Sequence, residues 1–504
     1  MAMGRAALVA LLVSATAVNA QRGAPPSGNL TYTVRPLAQN GSEVSAVEVR
    51  AEFRGAVPSG RTFTVQAPIV YASVRDIADR IDSLAVRDAA GAVGLTIVND
   101  AENPGGFPYF RHWRAKRAVT APVVITYRMR PFNGIFRKGP QFDLYAHGGG
   151  ISTAGMALFV VPEGLGNVTS HVRWDLSQLA TGSIAASTYG EGDIDLIGPV
   201  DRITQAYYMA GPLGRYSPSE TSGFHAHWLG QTQFDAPKEM EWAYQAYENL
   251  RRFHRDTSTA TYNVFVRAIP GATTTLGGTA LQNSFMVGVV GSKPDTTSPP
   301  RNTIAHEMGH MFVGYLNGGT GGVTWFNEGM NVFYTRLLLM RAGLVSVDDY
   351  GRDINATAKA YYGNPYRNAS ADSLDKLGFS AGVGANSAQN VPYSRGSLFF
   401  ADIDAKIRAK SNGTRKLDDV MLPLFIKGRT GATITPDMVI SAFVKEVGPS
   451  ARKEFEAVVI RGETLEPQAN AFGPCFERRR TADGATGYTW VRVSSVPDSH
   501  CREW

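Results

Sequence analysis

The feature that most restricts what this chain can be is the run His306-Glu307-Met308-Gly309-His310. Residues i and i+4 fall on one face of an α-helix, so two imidazoles there can reach a single metal ion. Glu307 stands beside them, placed to act on a water at that metal. The context predicts a buried helix. Pro299-Pro300 punctuate its start, an apolar strand over 284–290 precedes it, and Ile304, Met311 and Phe312 supply an apolar flank. With nine histidines in 504 residues, a chance pair on a surface helix is the weaker alternative.

A catalytic zinc needs a third protein ligand and an open position. A metzincin would continue with a glycine at position 313 and a histidine at position 316, but Val313 and Leu316 stand there and exclude that class. Instead Trp325-Phe326-Asn327-Glu328-Gly329 opens a second helix expected to end near Gly343. Phe326, Met330, Phe333, Tyr334 and Leu337 form its apolar stripe. Glu328 lies off that stripe, free to face the first helix, and is expected to be the third ligand of one Zn²⁺ per chain. Taken alone, it would read as a carboxylate favoured by the helix N-terminal dipole.

Length sets the frame for these helices. At 504 residues the chain exceeds one ordinary core, so two or three domains are expected. The 50 basic and 44 acidic residues give +6, with no basic block interleaved with aromatics, which argues against nucleic-acid binding. Arg5, the apolar run Ala6 to Val13 and the small residues at Val18-Asn19-Ala20 read as a signal peptide over 1–20. The run is far short of the ~20 residues a membrane span needs. Export to the periplasm or medium is therefore expected. In that compartment Cys475 and Cys501, the only cysteines, are expected to form a disulfide. Sequons stand at Asn29, Asn40, Asn167, Asn355, Asn368 and Asn412.

Short alternating runs broken by Gly, Pro and Asn predict an antiparallel β domain over 28–229. Within it His225 and His227 share a strand face, but no third ligand is evident nearby and a structural role is expected. Helical periodicity runs from Lys238 to about His254, followed by a strand over 262–268 and a Gly-rich turn at Gly277-Gly278. From the histidine helix to about Ile460 the chain reads as mostly helical.

The His-Glu-x-x-His helix, the later Glu328 and the run Val391-Pro392-Tyr393-Ser394-Arg395-Gly396 together resemble the glycyl aminopeptidase family of the gluzincin zinc peptidases. The last run resembles that family's Tyr-x-Lys-Gly motif, with Arg395 in place of the lysine. The resemblance implies a multidomain α+β fold. An N-terminal β domain would be followed over 230–466 by a thermolysin-like catalytic domain with a mixed sheet and a helical lobe. Residues 467–504 would form a C-terminal tail, too short for the PDZ domain that ends many relatives. The resemblance also implies a peptide or protein substrate, Glu307 as the base and Tyr393 as an oxyanion donor. A packed tyrosine with a satisfied hydroxyl is the alternative for Tyr393.

One departure bears on specificity. Relatives carry Gly-Gly-x-Glu-His before the substrate-facing strand, and that glutamate would hold the substrate's free amine. Here the run is Gly277-Gly278-Thr279-Ala280-Leu281, so Ala280 stands in the glutamate's place. Burying an ammonium without an anion costs several kcal/mol. Three readings follow: an aminopeptidase whose anchor lies elsewhere, a zinc hydrolase or endopeptidase that does not read a free N-terminus, and a non-catalytic binding protein on the same fold.

Overall fold

The computed structural model describes residues 28–504 apart from 39–42, 57–61, 105–106, 135–138, 220, 272–274, 292–299, 314–315, 317–322, 378–386 and 482–486. The expected signal peptide, the sequon at Asn40 and Pro299 lie outside the described residues. By packing, the chain divides into a β-rich unit, residues 20–241 and 259–303, and a helical unit, residues 242–258 and 304–504. The expected limits at 229/230 and 466/467 do not coincide with these units.

In the β-rich unit, strand Gly28–Ala38 shows why alternation was readable, because Leu30, Tyr32 and Val34 are buried while their neighbours are not. It lies inside a seven-stranded sheet and pairs antiparallel with Val44–Gly55. Its other neighbour, Asn167–Trp174, is parallel, an exception to the antiparallel pattern. Two further sheets, of five and four strands, complete the N-terminal part.

The fourth sheet of this unit is mixed. Phe224–Leu229, Tyr262–Ile269 and Ser284–Val290 run parallel at its centre, with Gly214–Tyr216 and Thr275–Leu281 antiparallel at its edges. Every residue of Ser284–Val290 is buried, as expected of a strand covered on both faces. Gly277 and Gly278 are not a turn. They lie inside the edge strand opposite Gly288 and Val287, and the reversal comes at Gln282-Asn283, where Asn283 takes φ +52°. His225 and His227 do share a face, and His227 is buried against Phe265 with its Nε2 3.0 Å from Glu191 Oε1. That arrangement is structural.

The helical unit is built on Gly329–Arg341, which is buried at 11 of its 13 positions. The stripe Met330, Phe333, Tyr334 and Leu337 is therefore only part of its covered surface. Helices Val347–Tyr362 and Asn390–Lys410 pack against it. Ser346 caps the former by accepting from Asp349 N, and Thr435 caps Pro436–Val447 in the same way through Met438 N. No described helix is long and apolar enough to cross a membrane.

Residues 467–504 form an integral part of this unit. Strands Phe476–Arg480 and Tyr488–Arg492 make a hairpin that buries Trp490, and Asn355 Nδ2 donates to Trp490 O at 2.9 Å while its Oδ1 accepts from Trp490 N at 2.8 Å. The Asn355 sequon is thus occupied by internal hydrogen bonds. Helix Asp498–Glu503 returns to the hairpin through Cys501, bonded to Cys475 across a separation of 26 residues. Closing a loop of that size stabilises a fold by about 3 kcal/mol in the chain-entropy view. Protein unfolded without reductant should show no reactive thiol. Two labelled thiols per chain would mean the cysteines are unpaired.

Candidate metal centre

The site is assembled from three helices, and its residues His306, Glu307, His310, Glu328 and Tyr393 all lie in the helical unit. The first, Arg301–Gly309, is held by buried Ile304, Ala305 and Met308 and continues into a turn that buries Phe312. At its start the Arg301 guanidinium forks onto Glu239 at 2.7 and 3.0 Å. The second carries Glu328, which joins the short turn Thr324–Asn327 to Gly329–Arg341. The third, Asn390–Lys410, places Tyr393 in its first turn.

His306 Nε2 stands 3.1 Å from Glu328 Oε2, and His310 Nε2 stands 3.4 Å from the same oxygen. The three donor atoms all lie within 4.8 Å of one another, and no other such group occurs among the described residues. Donors about 2.0–2.1 Å from a tetrahedral ion are about 3.3 Å apart, which the two histidine–Glu328 distances match. The donor set fits as well: two imidazole nitrogens and one carboxylate leave a fourth position free. Burial disfavours the Glu328 carboxylate, yet His310 and His306 hold its pKa well below the usual range. Burial would likewise lower His310, but Glu328 and Glu307 raise it instead.

Glu307 is buried between the two histidines in sequence. The Tyr393 ring stacks on His306 with centroids 5.7 Å apart and planes 27° apart. Burial, then the carboxylates of Glu328 and Glu307, push the phenol pKa well up, so Tyr393 keeps its proton and can donate it in a hydrogen bond. Arg395, two residues on, is 1% exposed and donates to the carbonyls of Arg367 at 2.6 Å, Ala369 at 2.8 Å and Val459 at 3.3 Å. It braces the helix that presents Tyr393. Gly277, Gly278 and Ala280 belong to the β-rich unit.

Close approach of the three helices depends on glycine. A Cβ on Gly309 would stand 2.0 Å from Asn331 Oδ1 and 2.4 Å from Thr335 Cγ2. One on Gly329 would meet Gly396 Cα at 2.5 Å, and one on Gly396 would meet Trp325 O at 2.2 Å. Sequence reasoning passed over Gly309, Gly329, Gly396 and Asn331 as site residues. The signal was present in glycines kept inside helices, where alanine is favoured by about 1 kcal/mol. Because backbone cannot yield as a side-chain tip can, Gly396→Ala should destabilise by about 3 kcal/mol, the upper end for overpacking. Gly166→Ala, where nothing lies within 4 Å, serves as the control. Equal urea midpoints for wild type and Gly396→Ala would show that the helices are not in backbone contact.

Comparison with known proteins bears on this geometry. Residues 301–398, which contain all five of His306, Glu307, His310, Glu328 and Tyr393, match the family described as M61 glycyl aminopeptidase. The fold is similar to that of an aminopeptidase N family protein from Idiomarina loihiensis. That match has a TM-score of 0.72 and 14% identity, covering 91% of this chain and 81% of the other. Similarity also extends to an M1 zinc metallopeptidase from Deinococcus radiodurans, with a TM-score of 0.48, 13% identity and coverage of 89% and 96%. The native leukotriene A4 hydrolase of Saccharomyces cerevisiae gives a TM-score of 0.48 at 11% identity, covering 87% of this chain and 68% of the other. No protein of curated function matches significantly. The segment that holds the site therefore matches the M61 glycyl aminopeptidase family over residues 301–398, and the fold around it is similar to that of an aminopeptidase N family protein.

Proposed function

We propose that the protein hydrolyses peptide bonds with one zinc ion per chain held by His306, His310 and Glu328. The convergence of these three donors beside Glu307 and Tyr393 carries the reading. Zinc bound there supplies a Lewis acid that polarises the scissile carbonyl and lowers the pKa of a water toward about 7. Glu307 takes the proton of the attacking water and delivers it to the leaving amine. The protonated Tyr393 hydroxyl donates to the carbonyl oxygen as negative charge develops on it, help worth about 3 kcal/mol for one well-placed donor. The N-terminal residues 1–20 support export, which would deliver the enzyme to peptides outside the cytoplasm.

The family resemblance favours removal of N-terminal residues from peptides. A second reading rests on Ala280, which offers no charge to a substrate ammonium and favours cleavage independent of a free N-terminus. Hydrolysis of an amino-acid anilide compared with its N-acetyl form separates the two. Strong preference for the free amine supports the aminopeptidase, and equal or better cleavage of the blocked substrate supports the second reading. In the latter case Ala280→Glu should shift preference toward free amines.

Purified protein should contain about one zinc per chain, and His310→Ala should lose most of it. Glu307→Gln should keep the zinc while hydrolysis falls about 10²- to 10⁴-fold. Stoichiometric zinc in a His306→Ala/His310→Ala protein would refute the ligand set. Tyr393→Phe should lower kcat about 10²-fold with little change in KM, because its hydroxyl acts mainly in the transition state. Equal kcat would make it a packing residue.

A further inference from the structure

We infer that Asn331 is a positioning residue for the metal site, tying the backbone of His306 to the helix that bears Glu328. The inference rests on the metal reading above. Asn331 follows Glu328 by three residues, so both project from the same side of their helix. Its side-chain Nδ2 donates to the His306 carbonyl oxygen at 2.7 Å. The same nitrogen lies 3.5 Å from His306 Nδ1, beyond a good hydrogen bond, so the backbone rather than the ring is what it holds. A carbonyl oxygen can only accept, which fixes the amide with its nitrogen toward His306. Its Oδ1 is then turned to Gly309, where any side chain would collide at 2.0 Å.

The position is fully buried, with Met330, Val332, Phe333 and Tyr334 buried around it in sequence. Asn331 Oδ1 has no hydrogen-bond partner among the described residues. A buried amide oxygen without a partner is a standing cost that an apolar side chain of the same size would avoid. What the amide gives in exchange is the cross-link. It joins the first ligand's backbone to the helix of the third ligand, one turn from Glu328. The 3.1 Å approach of His306 Nε2 to Glu328 Oε2 depends on how these two helices are set against each other. Supporting contacts of this kind typically contribute 10- to 100-fold in metal affinity.

The test uses the full chain, stripped of metal and titrated with zinc against a chromophoric chelator. Asn331→Leu keeps the branched shape, at a somewhat larger volume, and removes both the donor and the unpartnered oxygen. Asn331→Ala serves if leucine fails to fold beside Gly309. Melting of the metal-free proteins is followed in parallel. The expected result is a metal-free Asn331→Leu protein that melts at or above wild type but binds zinc 10- to 100-fold more weakly. At saturating zinc, its kcat should fall while KM is retained. A folded variant that binds zinc within about threefold of wild type would overturn the inference and leave the metal site standing. Wild-type protein that binds no zinc would overturn the metal reading itself, and the inference with it.

Discussion

Everything at this site depends on how closely three helices can approach. The two histidines come from the end of one helix and the turn that follows it, the carboxylate from the start of a second and the tyrosine from a third. Side chains of ordinary length bring donor atoms to 3.1–3.4 Å only if the helix backbones are nearly in contact. Gly309 lets the second helix press Asn331 and Thr335 against the first, and the Gly329–Gly396 contact does the same between second and third. Each glycine sacrifices helix propensity and unfolded-state entropy, a cost of about 1 kcal/mol per position. The surrounding aromatic core offsets it. Trp325, for example, stacks on Phe400 and tilts against Phe455 just beside the Gly396 crossing.

The electrostatics follow from the same compactness. Two carboxylates and two imidazoles packed together would be unfavourable as isolated charges, because burying ions costs several kcal/mol each. A divalent cation held by Glu328, His306 and His310 would reverse the balance. Tyr393 sits in this field as a neutral phenol, because burial and two nearby carboxylates all oppose its ionisation. The arrangement therefore keeps Tyr393 protonated and able to donate a hydrogen bond.

How much of this could be read in advance varied with the range of the interaction. His306, Glu307 and His310 were legible because i, i+4 spacing encodes their convergence locally. Glu328 was legible because it lies off the apolar stripe of its helix, free to face the histidines. Tyr393 became a candidate only through family resemblance, since it meets His306 from a helix distant in sequence and leaves no local pattern. Gly277 and Gly278 read as a turn because paired glycines usually are one, yet they serve an edge strand whose true reversal is at Asn283. Residues 467–504 read as a tail because the bonds of Asn355 to Trp490 link positions 135 apart. The parallel pairing of Gly28–Ala38 with Asn167–Trp174 was hidden for the same reason.

The central claim is that two imidazoles and one carboxylate of this chain hold a single zinc with an open fourth position. Zinc-edge X-ray absorption of the loaded protein tests it most directly. The account predicts a first shell of nitrogen and oxygen at about 2.0–2.1 Å, with the outer scattering of two imidazole rings. That outer signal should halve in His310→Ala protein reloaded with excess zinc. A shell containing sulfur, at about 2.3 Å, or outer scattering from three or four rings would contradict it.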